Sequence, residues 1–197
     1  MMPKLSAAAI VASLALMGAA SAAPINTEFN FVPFGTLTSN TGNITTATSI
    51  TSGAPLEVST IVTDNTGLAP TDPVSLTSPM PLTVGSAFTK SWTTALGTFT
   101  AALTVTSRTT GATSLGIDAT GTVTETTVIS GPALTPSPDF YSAAYTQNAG
   151  PGTQINGSFN NSSTPPPPPP PMPEPTSIAL LGVGLLGLGF VTAKRRS

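Results

Sequence analysis

Hydrophobic and polar positions alternate with a period of two through the middle of the chain. Phe99, Ala101, Leu103 and Val105 are separated by Thr98, Thr100, Thr104 and Thr106, with Ala102 the one break in the polar series. The pattern returns in Leu115, Ile117, Ala119 and Val123, set against Gly116, Asp118, Thr120, Thr122 and Thr124. Successive side chains of a strand point to opposite faces, and Thr and Val suit a pleated surface, so both runs predict half-buried strands. Residues 107–114, with Gly111 among polar neighbours, predict the loop of a hairpin between them. Upstream, Phe88, Lys90 and Trp92 share one face of a third predicted strand, with Lys90 between two aromatics. Weaker alternation marks 44–51, 56–62 and 122–129 as further candidates.

Turn chemistry punctuates the rest: Asn40-Thr41-Gly42-Asn43, Asp64-Asn65-Thr66-Gly67, Ala69-Pro70-Thr71-Asp72-Pro73 and Ser78-Pro79-Met80-Pro81. Helical periodicity is confined to the two ends. Short strands with frequent turns predict an all-β body over residues 23–131, an antiparallel β-sandwich. The competing reading is a partly disordered Thr-rich chain with too few large apolar residues to offset its conformational entropy. Alternation this regular favours the sandwich.

Both ends carry apolar runs with the marks of targeting segments. Lys4 precedes the apolar stretch 5–17, and Ala20 and Ala22 flank Ser21 with the small residues a signal peptidase reads. This predicts a Sec-type signal peptide over 1–22, with the Sec translocon and signal peptidase as partners. The lipoprotein route is closed, because the chain has no cysteine. From Pro132 onward Gly, Pro, Asn and Ser accumulate, and residues 132–172 read as a linker and spacer. Seven consecutive prolines, 165–171, predict a polyproline II rod of roughly 22 Å at ~3.1 Å per residue. A proline-rich docking ligand is the alternative to a spacer.

Beyond the prolines come Pro173-Glu174-Pro175, an uncharged apolar run over 178–193, and Lys194-Arg195-Arg196 one residue before the last. Sixteen helical residues reach about 24 Å, a little short of the ~30 Å hydrocarbon core, so 178–193 predicts a single, marginal transmembrane helix. The basic cluster holds the C-terminal side in the cytoplasm and leaves Pro173-Glu174-Pro175 outside, extended by its two prolines. In this order the three parts resemble the PEP-CTERM sorting tail, a resemblance confined to residues 173–196. The resemblance implies recognition by a membrane-embedded exosortase, with Pro173, Glu174 and Pro175 as the sorting signal and Lys194, Arg195 and Arg196 as the membrane-stop cluster. It implies a transient single-pass inner-membrane intermediate, then release to the cell surface or outside. Gly182, Gly184 and Gly187 in the same run spell a dinucleotide-binding fingerprint, but that motif needs a strand before it and an acidic residue ~20 positions on. Inside an apolar run so near the last residue it is no cofactor site.

Composition narrows the chemistry further. Between the two targeting segments Lys90 and Arg108 stand against Glu28, Glu57, Asp64, Asp72, Asp118, Glu125 and Asp139, two cations against seven carboxylates and a net of minus five. Such a surface repels phosphate backbones, so nucleic acid is not expected as a partner. The chain has no His, which removes the commonest general base and transition-metal ligand. Asp118 and Glu125 sit seven apart on one strand reading and point to opposite faces, so they do not pair as glycosidase acids. Lys90 as a base lacks an identifiable partner. No catalytic residue, metal site or cofactor is expected. Trp92, with Phe88, Tyr141 and Tyr145, could line a carbohydrate-binding face, or Trp92 and Phe88 could simply be core.

The expectation is therefore an exported, exosortase-sorted protein of the cell envelope or extracellular matrix, without catalytic activity and associated with exopolysaccharide. The alternatives are a carbohydrate-binding module and, behind it, a polysaccharide hydrolase. Replacing Glu174 by Gln separates a recognised signal from a plain anchor, since it leaves both prolines, the apolar run and the basic cluster intact. A charge-assisted contact is worth roughly 1.5–3 kcal/mol, so its loss should cut recognition at least about tenfold. Unprocessed Glu174→Gln protein should accumulate in the inner membrane on fractionation. Wild-type release would show that the tripeptide is not read through its charge.

Overall fold

The computed structural model of the chain describes residues 22–165. The predicted signal peptide up to residue 21, the polyproline rod beyond Pro165, the sorting tripeptide and the transmembrane helix lie outside them. Among the described residues every regular element is a strand. In chain order they are β1 (Thr27–Pro33), β2 (Leu37–Ser39), β3 (Ser49–Ser52), β4 (Leu56–Asp64), β5 (Pro73–Leu76), β6 (Met80–Pro81) and β7 (Ala87–Thr93). There follow β8 (Gly97–Thr110), β9 (Ser114–Val128), β10 (Ser137–Thr146) and β11 (Asn156–Ser162). All ladders are antiparallel, as the alternation predicts.

The sandwich, however, is replaced by a closed barrel in the order β1-β11-β10-β9-β8-β7-β5-β4, with β4 returning to β1. The closing strand is β1, which pairs on one side with β11 (Phe31 opposite Phe159) and on the other with β4 (Phe31 opposite Val58). A period of two identifies a strand's buried face but not which strand lies beside it, so a sandwich and a barrel share one sequence pattern. The small sheet β2-β3-β6 stands apart from the barrel wall, and its Leu37, Ile50 and Met80 join the same core.

The predicted hairpin is β8–β9, the longest ladder, with Val105 opposite Ala119. Its turn spans only 111–113, closed by Gly111 N–H donating to Ser114 O at 2.9 Å; residues 107–110 and 114 continue the strands. Register shifts at Thr98/Phe99 and Val105/Ser107 bend and twist this hairpin, the usual means of curving a sheet toward closure. The linker reading for 132–172 fails over half of its described part, because β10 and β11 are barrel strands. Ser137, Asp139, Tyr141, Ala143 and Tyr145 alternate inward on β10, and Phe159 and Asn161 on β11. Polar residues at inward positions hid both strands.

Aromatic rings fill the interior. Phe31 stacks on Phe159 at 5.1 Å between centroids, Phe88 meets Tyr141 edge-on at 5.3 Å, and Trp92 stacks on Phe99 at 5.6 Å. The outer wall is threonine: Thr104, Thr106, Thr120, Thr122 and Thr124 are exposed. That is the reverse of the apolar band with which a membrane barrel meets lipid.

At Gly121 the wall is closest. This residue pairs with Leu103 on β8 and Asp139 on β10, and a Cβ there would fall 1.8 Å from the Ala102 carbonyl oxygen. The obstacle is backbone, so no rotamer relieves it. Gly121→Ala should destabilise the barrel by about 2–3 kcal/mol or more, read as a lower urea midpoint. An unchanged midpoint would show that the β8–β9–β10 wall has slack.

Candidate functional site

The alternation that turns Phe88 and Trp92 inward on β7 turns Lys90 inward with them, and its side chain is fully buried. The partner that sequence reading could not find is Asp139 on β10. Lys90 Nζ lies 2.8 Å from Asp139 Oδ2, and neither side chain is exposed. Strands β7 and β10 are separated in the wall by β8 and β9, so the contact crosses the barrel interior. The amine also stands over the rings of Trp92, at 5.4 Å from its centroid, and Phe29, at 5.7 Å. A cation gains from the negative faces of both rings.

Asn161 completes the cluster from β11. Its Nδ2 donates to Thr27 Oγ1 at 3.1 Å, joining the last barrel strand to the first. Two oxygens of the cluster, Asp139 Oδ1 and Asn161 Oδ1, are buried without a hydrogen-bond partner. Burial pushes the Lys90 ammonium down from its ordinary range and the Asp139 carboxyl up. Their mutual attraction and hydrogen bond oppose both shifts, and the Asn161 amide beside Asp139 also favours the carboxylate, but burial prevails. Further along the interior, the Tyr141 and Tyr145 hydroxyls both donate to Met80 Sδ at 3.6 Å. Burial pushes both phenols upward.

Of the two readings open for Trp92, a carbohydrate-binding face or core, its burial matches the core. Trp92 is 2 % exposed and Tyr145 fully buried, and Phe88 and Tyr141 are equally enclosed. Trp92 Nε1 donates inward to Thr66 Oγ1 at 3.2 Å. The ring is core, and a sugar-binding reading loses the residue it rested on.

Asp118 and Glu125, which the sequence reading does not pair, are each locally engaged. Asp118 is exposed beside Ser107, while Glu125 Oε2 accepts from the Leu134 N–H at 2.7 Å. Asp64 accepts from the N–H groups of Thr66 and Leu68, and Asp72 from that of Ala69, the turn-bonding role expected of them. Among the described residues no group of three acids could hold a metal ion. Of the processing residues only Ala22 is described, and it is exposed. The next residue, Ala23, bonds to the fold, its carbonyl accepting from Thr135 N–H at 2.9 Å. Ala20, Pro173, Glu174, Pro175, Lys194, Arg195 and Arg196 lie outside the described residues.

Sequence reading therefore found one member of the central cluster, Lys90, by its place between aromatics. It missed Asp139 and Asn161. The available clue was the alternation of Tyr141, Ala143 and Tyr145, which extends back onto Asp139 and would have placed an acid on an inward face.

Comparison with known proteins bears on the tail alone: residues 173–196 match the PEP-CTERM protein-sorting motif. No curated protein and no solved structure matches the chain. The motif supports an exported protein that is sorted by an exosortase.

Replacing Lys90 by Met keeps its length but leaves Asp139 buried without a cation, which should cost about 3–5 kcal/mol in denaturant unfolding. Adding Asp139→Leu should recover part of that loss, because no charge is then stranded. The single variant should also be pH-dependent. Asp139 is already shifted upward by burial, and removing Lys90 removes the attraction that opposed the shift. A folded-state pKa above the unfolded value means that the folded state binds the extra proton. The stabilisation is then complete below the unfolded carboxyl range and is lost as pH rises through the raised value. Lys90→Met should therefore melt higher in mild acid than at neutral pH, and a flat profile would show that Asp139 escapes burial in the variant.

Proposed function

We propose that this chain is an exported surface protein, released by exosortase processing, whose barrel is a non-catalytic structural component of the cell envelope or of an extracellular polysaccharide matrix. The observation that carries the reading is the sorting motif over 173–196, which sends its bearer to the outer side of the membrane. The barrel supports it in two ways. Much of its interior is occupied by the side chains of Phe29, Phe31, Trp92, Phe99, Tyr141 and Phe159. Its exterior is a hydroxyl-rich wall of low charge, suited to a hydrated polysaccharide environment by hydrogen bonding rather than by ion pairing.

On this reading the Sec translocon and signal peptidase act at Ala20 and Ala22, and the exosortase acts at Pro173-Glu174-Pro175. The residues between are what the matrix receives. In the sequence the run of prolines 165–171 lies between β11 and the sorting signal. Mass spectrometry of the mature protein from its host tests the proposal. Loss of both ends is the expected result, with an N-terminus at Ala23 and a C-terminus short of residue 178. A mature protein still ending at Ser197 would overturn it.

A further inference from the structure

We infer that Lys90 and Asp139 are the two halves of an intramolecular amide bond, a covalent clasp formed across the barrel interior after folding. Four observations lead there. The amine and the carboxyl are in contact at 2.8 Å. Both are fully enclosed, among Phe29, Trp92 and other apolar side chains. Asp139 Oδ1 has no partner, so the carboxyl is poorly satisfied as a carboxylate. The chain has no cysteine with which to make any other covalent cross-link.

In water an amine and a carboxyl do not condense at neutral pH, because one is an ammonium without a lone pair and the other an unreactive carboxylate. Burial reverses both conditions by disfavouring the charged forms, and proton transfer within the pair yields a neutral amine and a neutral acid. Those are the reactants. Fixed to opposite parts of a closed wall, they cannot diffuse apart, and positioning of this kind reaches effective concentrations on the order of 10⁵ M or more. Exclusion of water also withholds the reactant that reversal requires.

The step balances without a co-reactant. The Lys90 Nζ lone pair attacks Asp139 Cγ, and a carbon–nitrogen bond forms as the carbonyl π pair moves onto Oδ1. One proton passes from nitrogen to the Oδ2 hydroxyl, the Cγ–Oδ2 bond breaks, and water leaves as the carbonyl re-forms. Nothing is oxidised or reduced. Asn161 acts as a positioning residue: its side chain, anchored to Thr27 on β1, stands beside the Asp139 carboxyl and fixes its orientation toward Lys90. The product ties β7 to β10 across 49 residues of sequence, constraining the unfolded chain as a disulfide would.

The test is made on the mature protein from its host, denatured and cut with trypsin. Between the targeting segments trypsin can cut only after Lys90 and Arg108. With the bond in place it should not cut after Lys90, and the fragment ending at Arg108 should stay joined to the one beginning at Thr109. The joined species should weigh one water less than its two parts, with fragmentation placing the link at Lys90 and Asp139. Lys90→Arg, whose guanidinium is not acylated, should release separate fragments, and Asn161→Leu should leave a larger unlinked fraction at equal times after synthesis. Wild-type fragments that separate, with cleavage after Lys90, overturn the proposal without recourse to any variant. A joined species lighter by one ammonia overturns it also, since the acyl partner would then be Asn161.

Discussion

Everything in this structure depends on the closure of the sheet by β1. That strand pairs with β11, the last of the described strands, and with β4, so it abolishes both sheet edges. Closure converts a row of inward side chains into a cylinder that has to be filled. The filling is aromatic, with Phe29 and Phe31 from β1 packed against Trp92, Tyr141 and Phe159. A fold without disulfides draws much of its stability from this packing.

Threonine-rich strands specify register poorly, since neighbouring positions resemble one another. The Lys90–Asp139 contact corrects this. A one-residue slip of β7 or β10 turns the charged residue outward and leaves its partner buried alone. A buried charge without its partner costs several kcal/mol, whereas the pair itself contributes little net stability. The contact thus acts mainly against wrong pairings, and Asn161 with Thr27 does similar work where the last strand meets the first. The same enclosure that makes slippage costly drives the amine and the acid toward their neutral, mutually reactive forms.

Address and body are separate in sequence in this chain. The sorting motif occupies residues 173–196, while the last barrel strand ends at Ser162. Recognition of an extended Pro-Glu-Pro segment requires only that it be accessible, and hydrophobic length with flanking charge governs insertion. Neither depends on what the barrel contains. This is why the tail identifies a route and leaves the role of the barrel to be argued from its own interior and surface.

The sequence by itself determined the elements whose cause is local. Alternation at Phe99–Val105 and Leu115–Val123 marked β8 and β9, and the Phe88, Lys90, Trp92 face marked β7. Asp64 and Asp72 were legible as turn residues, because an Asp side chain bonds its own neighbouring backbone. The sorting motif was legible for the same reason: its parts are contiguous. What only the tertiary structure decided is whatever needs residues far apart. Closure into a barrel rather than a sandwich rests on β1 meeting β11, some 130 residues later in the chain. The strand character of β10 and β11 was masked by Asp139 and Asn161 at inward positions, where a polar residue argues against burial until its partner is known. Lys90 was visible and its partner was not, because a buried charge is tolerated only through a contact that local pattern cannot contain.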